Sequence, residues 1–286
     1  MPVDTRTWRG RDGVALCIVV VVAAALRFAG VTSPNTLYFD EYHYARQACF
    51  LAWDTSACGF EETRRPVHPP LARRLIALGI RALGNNPLGW RVAPALAGTL
   101  SVVLLYLLAR RLLGSTAAAV TASGLLAVDA LHFIHSRLAM LDIFVALFVL
   151  AAALFCAYDR GQVLSGRPHA SPAWFSSLLG HRWRVAAGAA VGAAAACKWP
   201  GAFVLLAIVP LTLGWELATR RDRGLKAALV GVFREESVSF IVSFMLVPAL
   251  AYAAAHVGTV RGVLLAWPWS EGSWLRAFVD EQVFFY

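Results

Sequence analysis

Charge is scarce in this chain, and acid is scarcer than base. Only 15% of its 286 residues are charged, against roughly a quarter in soluble domains, and 59% are hydrophobic. With a mean hydropathy of +0.61, a water-soluble globular domain is excluded and a polytopic membrane protein is indicated. Repeats and low-complexity segments are also missing, which argues against a solenoid. The net charge of +9 lacks the basic face with interleaved aromatics that nucleic acid requires, so no nucleic-acid partner is expected. Its arginines fall instead in short clusters between apolar runs, where they orient spans and meet membrane lipids. Cysteine is sparse and odd in number, at five. Cys17, Cys156 and Cys197 lie in apolar segments as small core residues. Cys49 and Cys58 share a polar loop and can bridge if that loop is exported, although spacing alone leaves the bridge open.

What is present is a succession of long apolar stretches. Arg6, Arg9 and Arg11 precede a run from Val14 to Leu26 that extends past Arg27 to Val31. A cleaved signal peptide and a retained anchor both fit, and the length of about 18 residues favours the anchor, with the N-terminus cytoplasmic. Residues 32–87 are too polar to span and form an external loop. Within it, Pro70 to Leu83 places Leu71, Leu75, Leu78 and Ala82 at helical spacing, with Arg73, Arg74 and Arg81 largely off that stripe, which predicts an amphipathic helix on the membrane surface. Further spans are expected over Leu88–Leu113, Thr116–Leu131 and Leu138–Tyr158, then a polar loop from Asp159 to Arg184.

Val185 to Ala218 would reach roughly 51 Å as one helix, too long for a hydrocarbon core of about 30 Å. Lys198, Pro200 and Gly201 supply a break, so two spans turning at KWPG are predicted. This parity puts Arg220, Arg221, Arg223, Lys226 and Arg234 on the cytoplasmic side, as the positive-inside rule prefers. A last span, Ser237–His256, leads to an external aromatic tail from Gly258 with Trp267, Trp269 and Trp274. The fold class is therefore an all-α bundle of about seven transmembrane helices with an amphipathic surface helix in its first external loop.

Chemistry concentrates just beyond the first span. Asp40 and Glu41 are adjacent, so their carboxylates diverge by about 100° on a helix and cannot face each other as a dyad. One can take a proton while the other binds, and a solvated acidic turn is the bland alternative. His43, three residues after Asp40, invites a metal reading, but a third ligand at recognisable spacing is missing. A divalent metal is therefore compatible with the sequence and not required by it. His68 in the His-Pro-Pro run can orient a carboxylate, while Pro69 and Pro70 imply a rigid helix entry. Arg91, at the outer start of the second span, suits a lipid phosphate or snorkels to ordinary headgroups. Asp142 is an acid near the outer face, with Arg137 close enough upstream to pair with it. Lys198 beside Trp199 is an interfacial anchor or a phosphate ligand.

YFDEYHY, HPPLARRLIALG, GWRVAPALAG, HSRLAMLDIF and CKWPGAF occur in the order found in the protein O-mannosyltransferases, which are dolichol-dependent membrane glycosyltransferases of the GT-C type. The chain resembles that family from Tyr38 to Phe203, in a bacterial-like form. Family members continue through further spans, so the chain is expected to be a truncated part of such an enzyme, with residues 1–286 forming one transmembrane glycosyltransferase domain. The resemblance implies inverting transfer of mannose from a polyprenyl-phosphate-mannose donor to Ser or Thr hydroxyls on the outer face of the cell membrane. The acceptors would be secreted or membrane proteins, met at the secretion translocon. It implies Asp40 as base, Glu41 holding the acceptor and Arg91 on the carrier phosphate. His68, Asp142 and Lys198 would line or support the substrate site. Two rivals remain open: a related transferase that modifies lipid A or cell-wall glycan, and a transporter, for which the candidate acids cluster too strongly at one face.

Overall fold

The computed structural model describes residues 8–52, 58, 68–164, 181–257, 273, 275–276 and 278–280. Among these, every apolar segment expected from the sequence is helical, and no strand occurs. Helix α1 (Gly10–Phe28) is followed by α2 (Glu41–Ala52), α3 (Leu71–Leu83), α4 (Pro87–Leu113), α5 (Thr116–Val128), α6 (Ala130–Arg137) and α7 (Asp142–Leu164). Then come α8 (Arg182–Cys197), a 3-10 turn (Trp199–Val204), α9 (Leu205–Thr219) and α10 (Leu225–Ile241), which runs through a π-turn (Val242–Leu246) into α11 (Val247–His256). Most of the expected tail from Gly258, including Trp267, Trp269 and Trp274, lies outside the described residues, as do residues 165–180 of the expected inner loop and Arg6.

Local sequence accounts for most helix boundaries. Asn86 caps α4 through Oδ1, which accepts from the backbone of Leu88 and Gly89, and Pro87 stands at the first helical position, where its missing N–H costs nothing. Ser115 caps α5 and Asp129 caps α6. The predicted third span therefore does not end at Leu131. It bends by 61° at Asp129 and continues to Arg137, because Asp129 offers its side chain to the amide of His132. The fourth span begins at Asp142 rather than Leu138 and carries Asp159 and Arg160 within its last turns. The last begins at Leu225, so Lys226 and Arg234 are helical rather than loop residues.

The break at KWPG is where the sequence places it. Lys198 leaves the helix in an extended conformation, and Pro200 sits in the 3-10 turn that starts the next span. Among the described residues, four helical stretches are long and apolar enough to cross a membrane, and the bent α5–α6 pair makes a fifth. The two other expected spans fall short for identifiable reasons. Helix α1 holds Arg11, Asp12 and Arg27, and α8 has 16 residues, about 24 Å of rise.

Helix α3 is amphipathic, as expected. Its buried face is Ala72, Arg73, Ile76, Ala77 and Ile80, while Leu78 of the leucine stripe is 59% exposed. Leu71 and Leu75 of the stripe pack against the core, so the stripe is shared between the bundle and its outside. Here α3 and α4 cross on glycine: a Cβ at Gly79 would lie 2.5 Å from the carbonyl oxygen of Gly89. Alpha8 packs as closely, since a Cβ at Gly188 would lie 1.7 Å from the Ser243 carbonyl in the π-turn.

Candidate functional site

One end of the bundle, labelled outer after the expected topology and its opposite inner, gathers the C-terminus of α1, the connector to α2, the entry to α3, the first turns of α4 and α7, and the last turn of α8. At its centre is a buried ion pair. Arg91 donates from Nε to Glu41 Oε1 at 2.8 Å and from Nη2 to Oε2 at 2.7 Å, and both side chains are fully buried. The remaining guanidinium hydrogens reach the carbonyls of Val31 (3.0 Å), Pro34 (2.9 Å) and Thr36 (2.9 Å). A guanidinium has five N–H donors, and all are occupied. Glu41 is equally committed, because Oε2 also accepts from the Tyr38 amide at 3.0 Å and Oε1 from the Ala139 amide at 2.9 Å. Arg91 has no hydrogen left for a carrier phosphate, and Glu41 has no surface for an acceptor. Together they pin the connector before α2 to α4 and to the α6–α7 connection. Removing one partner from such a buried pair costs about 3–5 kcal/mol.

Asp40, one residue earlier, is in the opposite situation. It is half-buried, and its carbonyl closes the first turn of α2 by accepting from His43 and Tyr44. Its carboxylate contributes to the electrostatics of Tyr44 and His68, and Asp142 does the same. Burial, reinforced by the charges of Asp40 and Asp142, pushes the Tyr44 phenol up to about 12, so it remains a donor at neutral pH. Burial, together with Lys198 and Arg73, holds His68 below its ordinary range. His68 is therefore neutral at physiological pH, close to the Tyr44 ring (centroids 6.2 Å apart), and its carbonyl accepts from Arg73 Nη2 at 2.6 Å.

Lys198 and Asp142 form the most accessible charge pair of this end. Lys198 Nζ lies 2.9 and 3.2 Å from the two Asp142 oxygens, with side chains 26% and 38% exposed. Each charge sits at a favourable helix end, Asp142 in the first turn of α7 and Lys198 at the C-cap of α8. The expected partner of Asp142, Arg137, is engaged elsewhere: it donates to the Leu26 carbonyl and lies over the Phe133 ring. His43 is exposed and packs edge-on against Tyr42. Among the described residues no group of three or more His, Cys, Asp or Glu side chains could hold a metal ion. Cys49 and Cys58 are bridged, with Cα atoms 5.9 Å apart, and tie the end of α2 to the following loop.

The structure thus brings Asp40, His68, Asp142 and Lys198 to one electrostatic neighbourhood and sets Glu41 and Arg91 behind it. Sequence reasoning missed Tyr44 and Arg73 there. Tyr44 stands four residues after Asp40, one helical turn on, and this spacing was the available signal. A second polar centre, at the opposite end, was missed altogether. Arg184 is fully buried among Glu216 (2.6 Å), Glu236 (2.8 Å) and Asp159 (3.0 Å), and Arg220 pairs with the same two glutamates and with Glu235.

Residues 82–258 match the family model described as dolichyl-phosphate-mannose-protein mannosyltransferase. The chain is 32% identical over 258 residues to a polyprenol-phosphate-mannose–protein mannosyltransferase of Mycolicibacterium smegmatis, covering 87% of this chain and 50% of the relative. A Corynebacterium glutamicum protein of the same description is also 32% identical, over 268 residues, with 87% and 49% covered. The chain therefore spans about half the length of the curated relatives it matches. Among solved structures, the S. cerevisiae Pmt1–Pmt2 protein O-mannosyltransferase complex bound to its sugar donor superposes with a TM-score of 0.67 at 22% identity, over 88% of this chain and 34% of that one. ArnT of Cupriavidus metallidurans bound to undecaprenyl phosphate follows at a TM-score of 0.55 and 23% identity, over 85% and 41%. At such identities these two structures establish the membrane glycosyltransferase fold. The family match and the closeness of the bacterial relatives go further: this chain belongs to the dolichyl-phosphate-mannose-protein mannosyltransferase family.

Proposed function

We propose that the chain transfers mannose from a polyprenyl-phosphate carrier to a Ser or Thr hydroxyl of an exported protein. Asp40 accepts the hydroxyl proton as the new C1–O bond forms on the face of the sugar opposite the phosphate. The bond from C1 to the phosphate oxygen breaks, and the carrier phosphate leaves with the electron pair. A phosphate is a good leaving group, so the needs are a positioned base, a cation for the departing charge and an oriented site. The cation is Lys198, released from Asp142 when the phosphate arrives, and His68 and Tyr44 line the space between it and Asp40. No metal enters this scheme. The observation that carries the reading is the division of charge at the outer end. Arg91 and Glu41 are saturated, whereas Asp40 and the Lys198–Asp142 pair stand open to solvent within electrostatic reach of the same histidine.

The site lies on the exported side of the cell membrane, with the N-terminus inside and the loop 32–87 outside, within one transmembrane glycosyltransferase module. Cysteine at Asn35 should then react with an impermeant thiol reagent in intact cells and cysteine at Arg221 should not. The reverse pattern would invert the topology. Function itself is tested in membranes holding the complete chain, given polyprenyl-phosphate mannose and a Ser/Thr-rich peptide. Mannosyl peptide lost on Asp40→Asn supports the reading. Sugar passed only to a glycolipid acceptor would transfer the chain to the lipid-modifying branch of the fold.

A further inference from the structure

Phe39 stands immediately before the candidate base, and its backbone is left-handed, with φ at +54°. It is the sole non-glycine residue with positive φ among those described. Phenylalanine pays for this conformation through its Cβ, which crowds the following carbonyl. Nothing about the ring compensates, because the side chain is 71% exposed. The conformation must therefore be imposed from the backbone on either side, and the structure shows how. On the N-terminal side, the Tyr38 amide is held by Glu41 Oε2, and the carbonyls of Val31, Pro34 and Thr36 are held by Arg91. On the C-terminal side, Glu41 is itself locked by Arg91 and by the Ala139 amide. Phe39 and Asp40 are the two residues spanned by this grip, which resembles the reach-back arm of a capping box. Strain of this kind persists where the surroundings over-determine it, and it collects at functional sites.

We propose that Glu41 and Arg91 are positioning residues that act through the backbone: their ion pair forces Phe39 into the left-handed turn, and that turn aims the Asp40 carboxylate at the acceptor hydroxyl. The inference rests on Asp40 being the base. It assigns Glu41 and Arg91 no contact with either substrate. Their loss should therefore lower kcat while leaving the apparent KM for donor and for peptide within about twofold.

The decisive experiment is a double-mutant cycle in the complete chain. Glycine adopts φ near +54° without the Cβ penalty, so Phe39→Gly removes the strain that the ion pair exists to hold. Against a Phe39→Gly background, Glu41→Gln should cost at least about fivefold less in kcat than it does in the natural background. Phe39→Ala, which keeps the Cβ, should give no such relief. Arg91→Lys, a milder disturbance that keeps the charge and loses the fork, should show the same glycine-specific rescue if Glu41→Gln fails to accumulate.

Thermal stability in detergent provides a readout independent of mannose transfer. Phe39→Gly should raise the midpoint and reduce the loss caused by Arg91→Lys, and Phe39→Ala should do neither. Additive effects in both kcat and stability would overturn the positioning role. So would equal rescue by alanine and glycine, since the ring and not the backbone would then be responsible. Coupling in stability with Asp40→Asn fully active would leave the strained turn intact and remove Asp40 as the base.

Discussion

The two ends of the bundle treat their charges differently. At the inner end, Arg184 is buried and bonded to Asp159, Glu216, Glu236 and Ser239, and Arg220 is nearly as enclosed. The elements tied together are α7, α8, α9 and α10, which otherwise meet through an apolar core that includes Ala152, Cys156, Ala187, Val191 and Ile208. At the outer end one ion pair is buried in the same way, Glu41 with Arg91, while its neighbours Asp40, Asp142 and Lys198 remain partly open. A saturated buried charge has its partners already and acts only by fixing backbone and helices in place. A half-exposed charge can exchange its partner for a substrate group. Membrane burial makes the distinction sharp, because an unpaired charge in a span is costly.

Breaking the inner end should produce the largest effect on stability. Arg184→Leu leaves Asp159, Glu216 and Glu236 facing one another without their central cation, an expected loss of about 3–5 kcal/mol. It should appear as a fall in thermal midpoint and in membrane abundance. Any protein that does fold should retain its donor requirement, and a variant that is stable but impaired in donor use would erase the contrast between the ends.

Asp40→Asn is the opposite experiment, next in size. The amide keeps the shape and removes the proton acceptor, so turnover should fall by roughly a hundredfold or more. Abundance should hardly change, since the residue is half-exposed and supports no apolar packing. Near-normal transfer by this variant would leave the outer end without its base.

These two predictions divide along a line that the sequence drew only in part. The leucine spacing of α3, the Asn86–Pro87 start of α4 and the break at Lys198–Gly201 are local signals, and each structure follows its signal closely. The stripe of α3 was legible while its division was not, because a leucine row at a membrane surface can meet both lipid and protein, as Leu78 and Leu75 do. Asp40 was legible as an acid just beyond a span. The partners of the other charges were hidden, since Arg91 finds Glu41 fifty residues away and Lys198 finds Asp142 at a separation of 56. No local periodicity records such pairs. Arg137 was the nearest cation to Asp142 in sequence, yet the turn at Leu138–Leu141 sends it back towards α1. Arg184 was read as a loop charge for the same reason: its acids lie on three other helices.

Lys198 sharpens the comparison at intermediate scale. Lys198→Ala should raise the donor requirement by about tenfold, with a smaller change for the peptide, as expected when a charge-assisted contact to phosphate is lost. Arg91→Lys should instead lower kcat and stability at an unchanged donor requirement, because all five guanidinium donors are engaged within the protein. Steady-state titrations of donor at saturating peptide distinguish the two. If Arg91→Lys shifts the donor requirement and Lys198→Ala does not, the open and closed charges have been assigned the wrong way round.

The smallest effect concerns His68, whose folded pKa lies below its ordinary value of 6.5, chiefly through burial and then through Lys198 and Arg73. A histidine with a depressed folded pKa binds its proton more readily in the unfolded chain, so its stabilising contribution is complete above 6.5 and is lost as the pH falls through the lower folded value. Protonation would also add a cation beside Lys198 and within reach of Asp40, drawing the Asp40 carboxylate away from its role as base. Transfer should therefore decline on the acid side of neutrality, with a modest loss of thermal stability over the same interval. His68→Gln keeps a hydrogen-bonding side chain and cannot titrate. It should lose no more than a few-fold in turnover at pH 7.5 and should flatten the part of the acid limb that belongs to the imidazole. Profiles of kcat and of thermal midpoint recorded on both proteins from pH 5 to pH 8 would show it. An identical acid limb in the two would mean that His68 stays neutral throughout.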